Sequence, residues 1–338
     1  MTDAPWSRIP IDAQSVDAPL SRAAIFLVVA VAEEREHLDA VRAVLDDLTG
    51  LVKTVGFRDL GGRLSCVVGI GSALWDRLSP AARPAELHPF VELDGAPHVA
   101  PSTPGDLLFH IRADRADMCF ELERLLLDAL GDAITVVDEV SGFRYFDSRD
   151  LLGFVDGTAN PLAAELTDAT LISPDADPDF AGGSYVVVQK YLHDLPRWNA
   201  LSSEEQQAII GRTKVDNVEL DDDPARPAHK TLTTIEDDDG TERDILRDNM
   251  PFGRPGAGEF GTYFIGYTGR LWVLERMLEH MFIGDPPGTY DRLLDFSTAI
   301  TGTTFFVPTN DMLGRLAQAP DEAAESSSGG SLGIGSLK

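Results

Sequence analysis

Three stretches of this chain hold side chains able to do chemistry together. The first, Gly153-Phe-Val-Asp156-Gly157-Thr158-Ala-Asn160-Pro161, sets a lone carboxylate between two glycines, with turn formers following. Glycine lets backbone approach a ligand closely, so such a loop can aim one Asp into a site. The second is His229, a lone imidazole after a loop rich in Asp and Pro. The third, Arg247-Asp248-Asn249, places a guanidinium and an amide two residues apart. Side chains repeat every second residue in extended chain, so the two point the same way. A cation with a neutral donor can hold and polarise a small oxygen ligand. His37, His88, His98, His110, His193 and His280 show no metal-ligand spacing, and Cys66 and Cys119 are the only cysteines. A four-Cys zinc site and a disulfide framework are therefore excluded. Gly69-Ile-Gly71 lacks the third glycine of a dinucleotide loop.

These residues need elements to position them. Ala24 to Ala30 reads as a buried strand, Glu33 to Leu51 as a helix closed by Gly50, and Leu64 to Ile70 and Asp106 to Ala113 as strands. Asp117 to Leu130 has the pattern of an amphipathic helix. The second half repeats this grammar: a strand over Ser184 to Gln189, a helix opening at Ser203, a strand over Gly261 to Gly266 and a helix over Thr268 to Phe282. Leu122-Glu-Arg-Leu-Leu126 and Leu274-Glu-Arg-Met-Leu278 stand in corresponding places. The expectation is a duplicated α+β unit rather than a continuous βαβ run.

The chain has 338 residues, which suits about two domains. Lys+Arg 28 against Asp+Glu 56 leaves a net charge of −28, which argues against nucleic acid and anionic membranes as partners. No apolar run approaches a membrane span, and the first residues lack the pattern of a signal peptide, so the expected compartment is the cytoplasm.

Taken in order, Gly153-x-x-Asp156-Gly157, His229 and Arg247-x-Asn249 resemble the dye-decolorising peroxidase family, specifically its B-type members. The stretch Arg144-Tyr-Phe-Asp-Ser-Arg-Asp-Leu-Leu-Gly-Phe-Val-Asp-Gly-Thr158 is similar to that group as well, and the resemblance covers roughly residues 20 to 315. It implies two ferredoxin-like halves, each with an antiparallel sheet and flanking helices, and a haem b pocket mainly in the second half. It implies that His229 is the proximal iron ligand, with Asp291 or Asp295 accepting from its other nitrogen. Asp156, Gly157, Arg247 and Asn249 would line the distal face, and Arg212 would meet a haem propionate. Lys230, next to the ligand, would have to point away from the cofactor. Hydrogen peroxide and small reducing donors such as dyes or phenolics would be the substrates. Trp198, Tyr263, Tyr267 and Trp272 are candidate relays to donors too large to enter. Two other readings remain open: a haem-binding or haem-processing protein of the same fold with weak turnover, and a non-enzymatic ferredoxin-like binding module.

The tail changes composition. Ser331-Leu332-Gly-Ile334-Gly-Ser-Leu337-Lys338 follows an acidic Ser/Gly stretch. It resembles the C-terminal targeting peptide of encapsulin cargo, which implies an encapsulin shell protein as partner and a nanocompartment as location, in a protein expected to be a homo-oligomer. The expected organisation is an arm over 1–20, ferredoxin-like halves over 21–150 and 151–315, a flexible linker over 316–330 and the targeting peptide over 331–338. Ten carboxylates between Asp216 and Glu242 flank His229 in sequence. They are expected near the cofactor entrance, where they would favour cationic donors.

Overall fold

Ala23–Val31 (β1) is apolar on both faces: Ile25, Leu27 and Val29 enter one core, while Ala24, Phe26 and Val28 enter a second. A strand buried on both sides belongs in the middle of a sheet. The computed structural model places it there, and describes residues 12–318 apart from 81, 163 and 224. Residues 1–11 and 319–338 lie outside the described residues, and with them Ser331, Leu332, Ile334 and Leu337 of the tail peptide.

Ser65–Ile70 (β2), Leu107–Ala113 (β3) and Ile134–Phe143 (β4) complete the first half, in the order β2-β3-β1-β4. Ser184–His193 (β5), Leu246–Arg247 (β6), Met250–Arg254 (β7), Glu259–Thr268 (β8), Ser297–Ala299 (β9) and Thr303–Val307 (β10) build the second. Its order, β6 or β7 beside β8, then β5, then β10, repeats that of the first, and every pairing is antiparallel. A helix follows the third strand of each half, Ala116–Leu130 in one and Leu271–Phe282 in the other. Each half is thus ferredoxin-like. The ten strands join as one sheet through a single pair, Phe306 of β10 with Ile70 of β2.

The two halves face each other across the second core, where Phe26 of β1 stacks on Tyr263 of β8 with 4.3 Å between ring centroids. Helices cover the outer faces and fill the first core. Buried charge also crosses between the halves. Arg112 of β3 donates to Asp248 at 3.0 Å, and His110 bonds the Tyr267 hydroxyl at 2.8 Å.

Several expectations change. The first helix runs from Arg35 to Gly56, straight through Gly50, because Val55 extends its buried stripe. That packing outweighs the cost of an interior glycine, about 1 kcal/mol. The cap of Ser203–Ile210 is Ser202, which with Glu205 forms a capping box. The described part of the arm, residues 12–20, is docked: the Gln14 side chain bonds both Val68 of β2 and the Pro308 carbonyl, across the seam between the halves. Residues 316–318, read as the start of a linker, are the last turn of the helix Asn310–Gln318, with Leu316 only 5% exposed. Trp198, Tyr263 and Tyr267 are wholly buried, so none offers a surface relay; Trp272 is partly buried with the Arg276 guanidinium over its ring.

Candidate active site

The first half connects β1 to β2 with one long helix. The second half connects β5 to β6 with a longer stretch carrying the short helices Leu195–Asn199, Ser203–Ile210 and His229–Leu232. These stand around two adjoining cavities of about 170 and 380 Å³, which share Asp156, His229, Arg247 and Met277 on their walls. The smaller is mostly apolar, walled by residues such as Leu152, Phe154, Phe264 and Leu278; the larger carries Arg212, Lys230 and Arg243.

His229 opens its helix after Ala228, whose N–H is held by the Asp222 carboxylate. Its Nδ1 lies 2.6 Å from Oδ2 of Asp291, a residue with no exposed surface. Asp291 is fixed in turn: its Oδ1 accepts the Leu293 N–H at 2.9 Å, and its own N–H bonds the Met281 carbonyl at 2.8 Å. Of the two acids left open by the sequence, Asp291 therefore meets His229. Asp295 pairs instead with His98 Nε2 at 3.0 Å and the Tyr290 hydroxyl. The other imidazole nitrogen of His229 has no hydrogen-bond partner among the described residues. His193 also lines the smaller cavity, but both its nitrogens are engaged, by Ser297 and Thr262. Burial pushes its pKa down to about 4, so it stands as a neutral ring.

Asp156 comes from a hairpin pinned by pairing of Arg149 with Tyr145 and Val155, and by the Asp156 N–H to Ser148 carbonyl bond. Gly153 and Gly157 adopt φ of +95° and +73°, which side-chain-bearing residues rarely do. The Gly157 N–H can therefore turn back onto Asp156 Oδ1 at 2.7 Å. The Asn249 amide reaches the same oxygen at 3.4 Å, and its own Oδ1 accepts the Ile265 N–H. Burial raises the pKa of Asp156 above the ordinary carboxylate value, against the opposing pull of the Gly157 N–H, Arg247 and Asn249.

Arg247 and Asn249 face the smaller cavity together while Asp248, between them, turns to Arg112 in the opposite core, as alternation along an extended strand requires. Asn160 clamps the Arg247 backbone at two points, accepting its N–H at 2.9 Å and donating to its carbonyl at 2.7 Å. The guanidinium meets Met277 Sδ at 3.2 Å, and among the described residues no carboxylate lies within ion-pair distance of it. Burial lowers its pKa, offset by the carboxylates of Asp156 and Asp244. A part-buried cation without a direct counter-charge suits a cavity where negative charge must develop.

Arg212 sits at the polar cavity, already bonded to Glu219 at 3.2 Å. Lys230 is tied to the same carboxylate at 2.7 Å and lines this cavity, so it does not turn away from it as the resemblance implied. Of the ten clustered acids, Glu219 and Glu242 reach this cavity, yet Glu219 is spent on two cations and Asp237 on Arg243. The acidic field at the mouth is thus weaker than the sequence count implies. Sequence reasoning missed Asp150, Met277 and Arg243 as wall residues and read Asn160 only as a turn former. Asn160 and Asp150 both lie in stretches singled out for other reasons, and only the fold shows what they touch. Among the described residues no cluster of three or more His, Cys, Asp or Glu could hold a bare metal ion, and no helix is long and apolar enough to cross a membrane.

Comparison with known proteins gives a consistent picture. Family models described as Dyp-type peroxidase, N-terminal and Dyp-type peroxidase, C-terminal match residues 13–144 and 147–312. A dye-decolorizing peroxidase of Mycobacterium tuberculosis is 56% identical over 330 residues, covering 97% of each chain. A variant of DypB from Rhodococcus jostii RHA1, solved in complex with heme, superposes with a TM-score of 0.87 at 60% identity, over 90% of this chain and 98% of that one. The encapsulated DyP-type peroxidase from Mycobacterium smegmatis does so with a TM-score of 0.86 at 59% identity, over 90% and 97%.

Proposed function

The chain belongs to the dye-decolorising peroxidase family, a haem-dependent enzyme that reduces hydrogen peroxide and oxidises dyes or phenolic donors by one-electron steps, and we propose that His229 holds the iron while Asp156, Arg247 and Asn249 handle peroxide. The observation that carries this reading is that an imidazole with one nitrogen free, a shielded carboxyl and a part-buried guanidinium all line one cavity.

Haem b is a flat apolar ring with two carboxylates at one edge. The paired cavities suit it, one apolar and one lined by Arg212, Lys230 and Arg243. The His229 imidazole, with one nitrogen anchored and the other free, is the donor that a haem iron would need. Bound here, haem supplies the redox chemistry that splits peroxide and withdraws single electrons from donors.

The protein's own groups do the rest. Asp291 accepts the Nδ1–H of His229, which fixes the tautomer and makes Nε2 a stronger donor. Asp156, ionised, would take a proton from one peroxide oxygen and return it to the other, which departs as water. Asn249 and the Gly157 N–H hold the carboxylate in place for both transfers. The Arg247 guanidinium stabilises negative charge on the departing oxygen, and the Asn160 clamp keeps it from moving away. Arg212 serves a propionate by exchanging Glu219 for it.

The second part of the reading is location: the chain is cargo of an encapsulin nanocompartment, held by Leu332, Ile334 and Leu337 on a Ser/Gly tether, and self-assembles as a homo-oligomer. Support comes from the tail sequence and from similarity to an encapsulated relative. The N- and C-terminal halves divide near residue 150, and the second carries the site.

One absorption experiment tests the chemistry. The purified chain should show a Soret band that His229→Ala abolishes. Peroxide should alter the band and drive dye oxidation, and Arg247→Ala should slow that reaction by on the order of 100-fold, as for loss of a transition-state charge partner. A haem-loaded chain that neither changes spectrum with peroxide nor oxidises dye would sink the reading. For location, deleting residues 329–338 should abolish co-purification with a coexpressed shell protein; unchanged loading removes that part alone.

A further inference from the structure

The hairpin that delivers Asp156 carries a second carboxyl, Asp150, on the wall of the same 170 Å³ cavity. The chain bends back at this residue: its N–H bonds the Phe154 carbonyl, its side chain accepts the Phe154 N–H at 2.9 Å, and Gly153 closes the turn. The carboxyl is thereby set beside Leu152 and Phe154, both buried in a small apolar core. Two cations lie behind it, and both are committed elsewhere. The Lys214 ammonium donates to Gln206 at 2.6 Å and lies over the Phe154 ring. Arg149 is spent on the carbonyls of Gly153, Lys214 and Val215. No ion pair within 4.0 Å joins Asp150 to a cation among the described residues.

We propose that Asp150 controls the charge of the peroxide-reacting cavity: neutral, it leaves Asp156 as the one carboxylate facing the ligand; ionised, it adds a second negative charge where the reaction must build one. The inference rests on the peroxidase reading of this site. Burial pushes the pKa of Asp150 up to about 7, with the nearby Asp156 charge adding to the rise against the N–H groups of Phe154, Gly153 and Leu152. Asp156 keeps the Gly157 N–H, Asn249 and Arg247 as partners, so of two neighbouring carboxyls it is the one to ionise first. The other charged or titratable groups around the cavity are His193, neutral in this range, Tyr191, whose hydroxyl burial holds protonated, His229 and Arg247 on its wall, and Lys214 and Arg149 close by. None supplies a direct counter-ion to Asp150. Above neutrality its proton goes to solvent, and the field of Arg247 is then divided between two carboxylates and the departing oxygen.

The test is the pH dependence of the reaction between peroxide and the haem-loaded full chain, followed by stopped-flow at the Soret band. With a group titrating near 7, the protonated fraction falls about tenfold between pH 6 and pH 8, and the wild-type rate should fall with it. Asp150→Asn keeps the acceptor for the Phe154 N–H and cannot ionise. The ratio of its rates at pH 6 and pH 8 should be close to one, with an unchanged melting temperature. Parallel pH profiles in the two proteins overturn the proposal, as does a uniform loss of rate with the wild-type profile retained. An infrared titration gives a readout independent of turnover. In a Glu123→Gln background, which removes another acid titrating in this range, a protonated carboxyl C=O band should vanish with a midpoint near 7. Absence of that band overturns the proposal even if Asp150→Asn fails to fold. A wild-type chain that does not react with peroxide at any pH fails the peroxidase reading instead, while the infrared band still decides the state of Asp150.

Discussion

Replacing Asp291 by Asn changes one charge in a place where every other contact is fixed. Its two carboxylate oxygens serve two donors, the His229 ring at 2.6 Å and the Leu293 N–H at 2.9 Å. An amide has one oxygen. Whichever donor it satisfies, the other faces an NH2 group in a site with no exposed surface. A buried donor left without an acceptor costs about 1–3 kcal/mol. If the Leu293 N–H keeps the oxygen, that cost falls on the His229 ring, which loses both its orientation and the charge that strengthens its free nitrogen. Loss of such an outer partner weakens metal affinity by about 10- to 100-fold. Haem titrated into the apoprotein should accordingly bind on the order of 10- to 100-fold more weakly to Asp291→Asn. The reduction potential should rise, because a poorer donor stabilises ferric iron less. Equal haem affinity and equal potential in wild type and Asp291→Asn would refute the reasoning, and with it the placing of His229 as ligand. Asp295→Asn, which touches His98 and Tyr290 instead, is the matched control and should leave the potential where it was.

Other outcomes follow from the buried charges. Arg112→Met should cost about 3–5 kcal/mol in urea unfolding, because Asp248 is left 2% exposed without its cation; a loss below about 1 kcal/mol would mean that the pair is not the tie between the halves. Glu123, with Oε1 unpaired in the core, has its pKa pushed up to about 7 by burial. A folded-state value above the unfolded one means that the native protein binds more protons between those values, so stability falls as pH rises from about 4.5 to 7. Glu123→Gln should therefore gain melting temperature over wild type at pH 8 and not at pH 4, and equal shifts at both would refute the assignment.

Much of this was legible in the chain because its signals are local. Strands buried on both faces leave unbroken apolar runs, and two helices with the same five-residue pattern mark the duplication. Arg247 and Asn249 could be placed on one face from strand periodicity alone. What stayed hidden depends on contacts distant in sequence. Asp291 and Asp295 are four residues apart on similar chain, and only the Met281 carbonyl and the turn at Leu293 decide which one reaches His229. The strands β4, β6, β7, β9 and β10 went unread because β6, β7, β9 and β10 are short and β4 is exposed over much of its length, so period-2 patterning is weak there. The acidic run around His229 looked like a field at the cofactor entrance; the fold shows Lys230, Arg212 and Arg243 cancelling part of it.

The duplication also explains why one half carries the chemistry. Both halves pack a helix against the sheet after the third strand, so the difference must lie in the connection after the first. In the first half that connection is the helix Arg35–Gly56, which presses Leu38, Val41, Val44, Leu45 and Leu48 into the core and leaves no room for a ligand. In the second it is broken into short helices whose apolar residues, Trp198, Ile209 and Ile210, gather into a core of their own with Leu152 and Phe154. Because those residues pack among themselves, the β5 and β8 face beneath Tyr191, His193, Thr262 and Phe264 is left uncovered and becomes the cavity wall. The same break puts His229 at a helix start within reach of Asp291. The site thus arises where a packing helix has been replaced by a stretch that folds on itself, and the sheet that positions Arg247 and Asn249 is the same sheet in both halves.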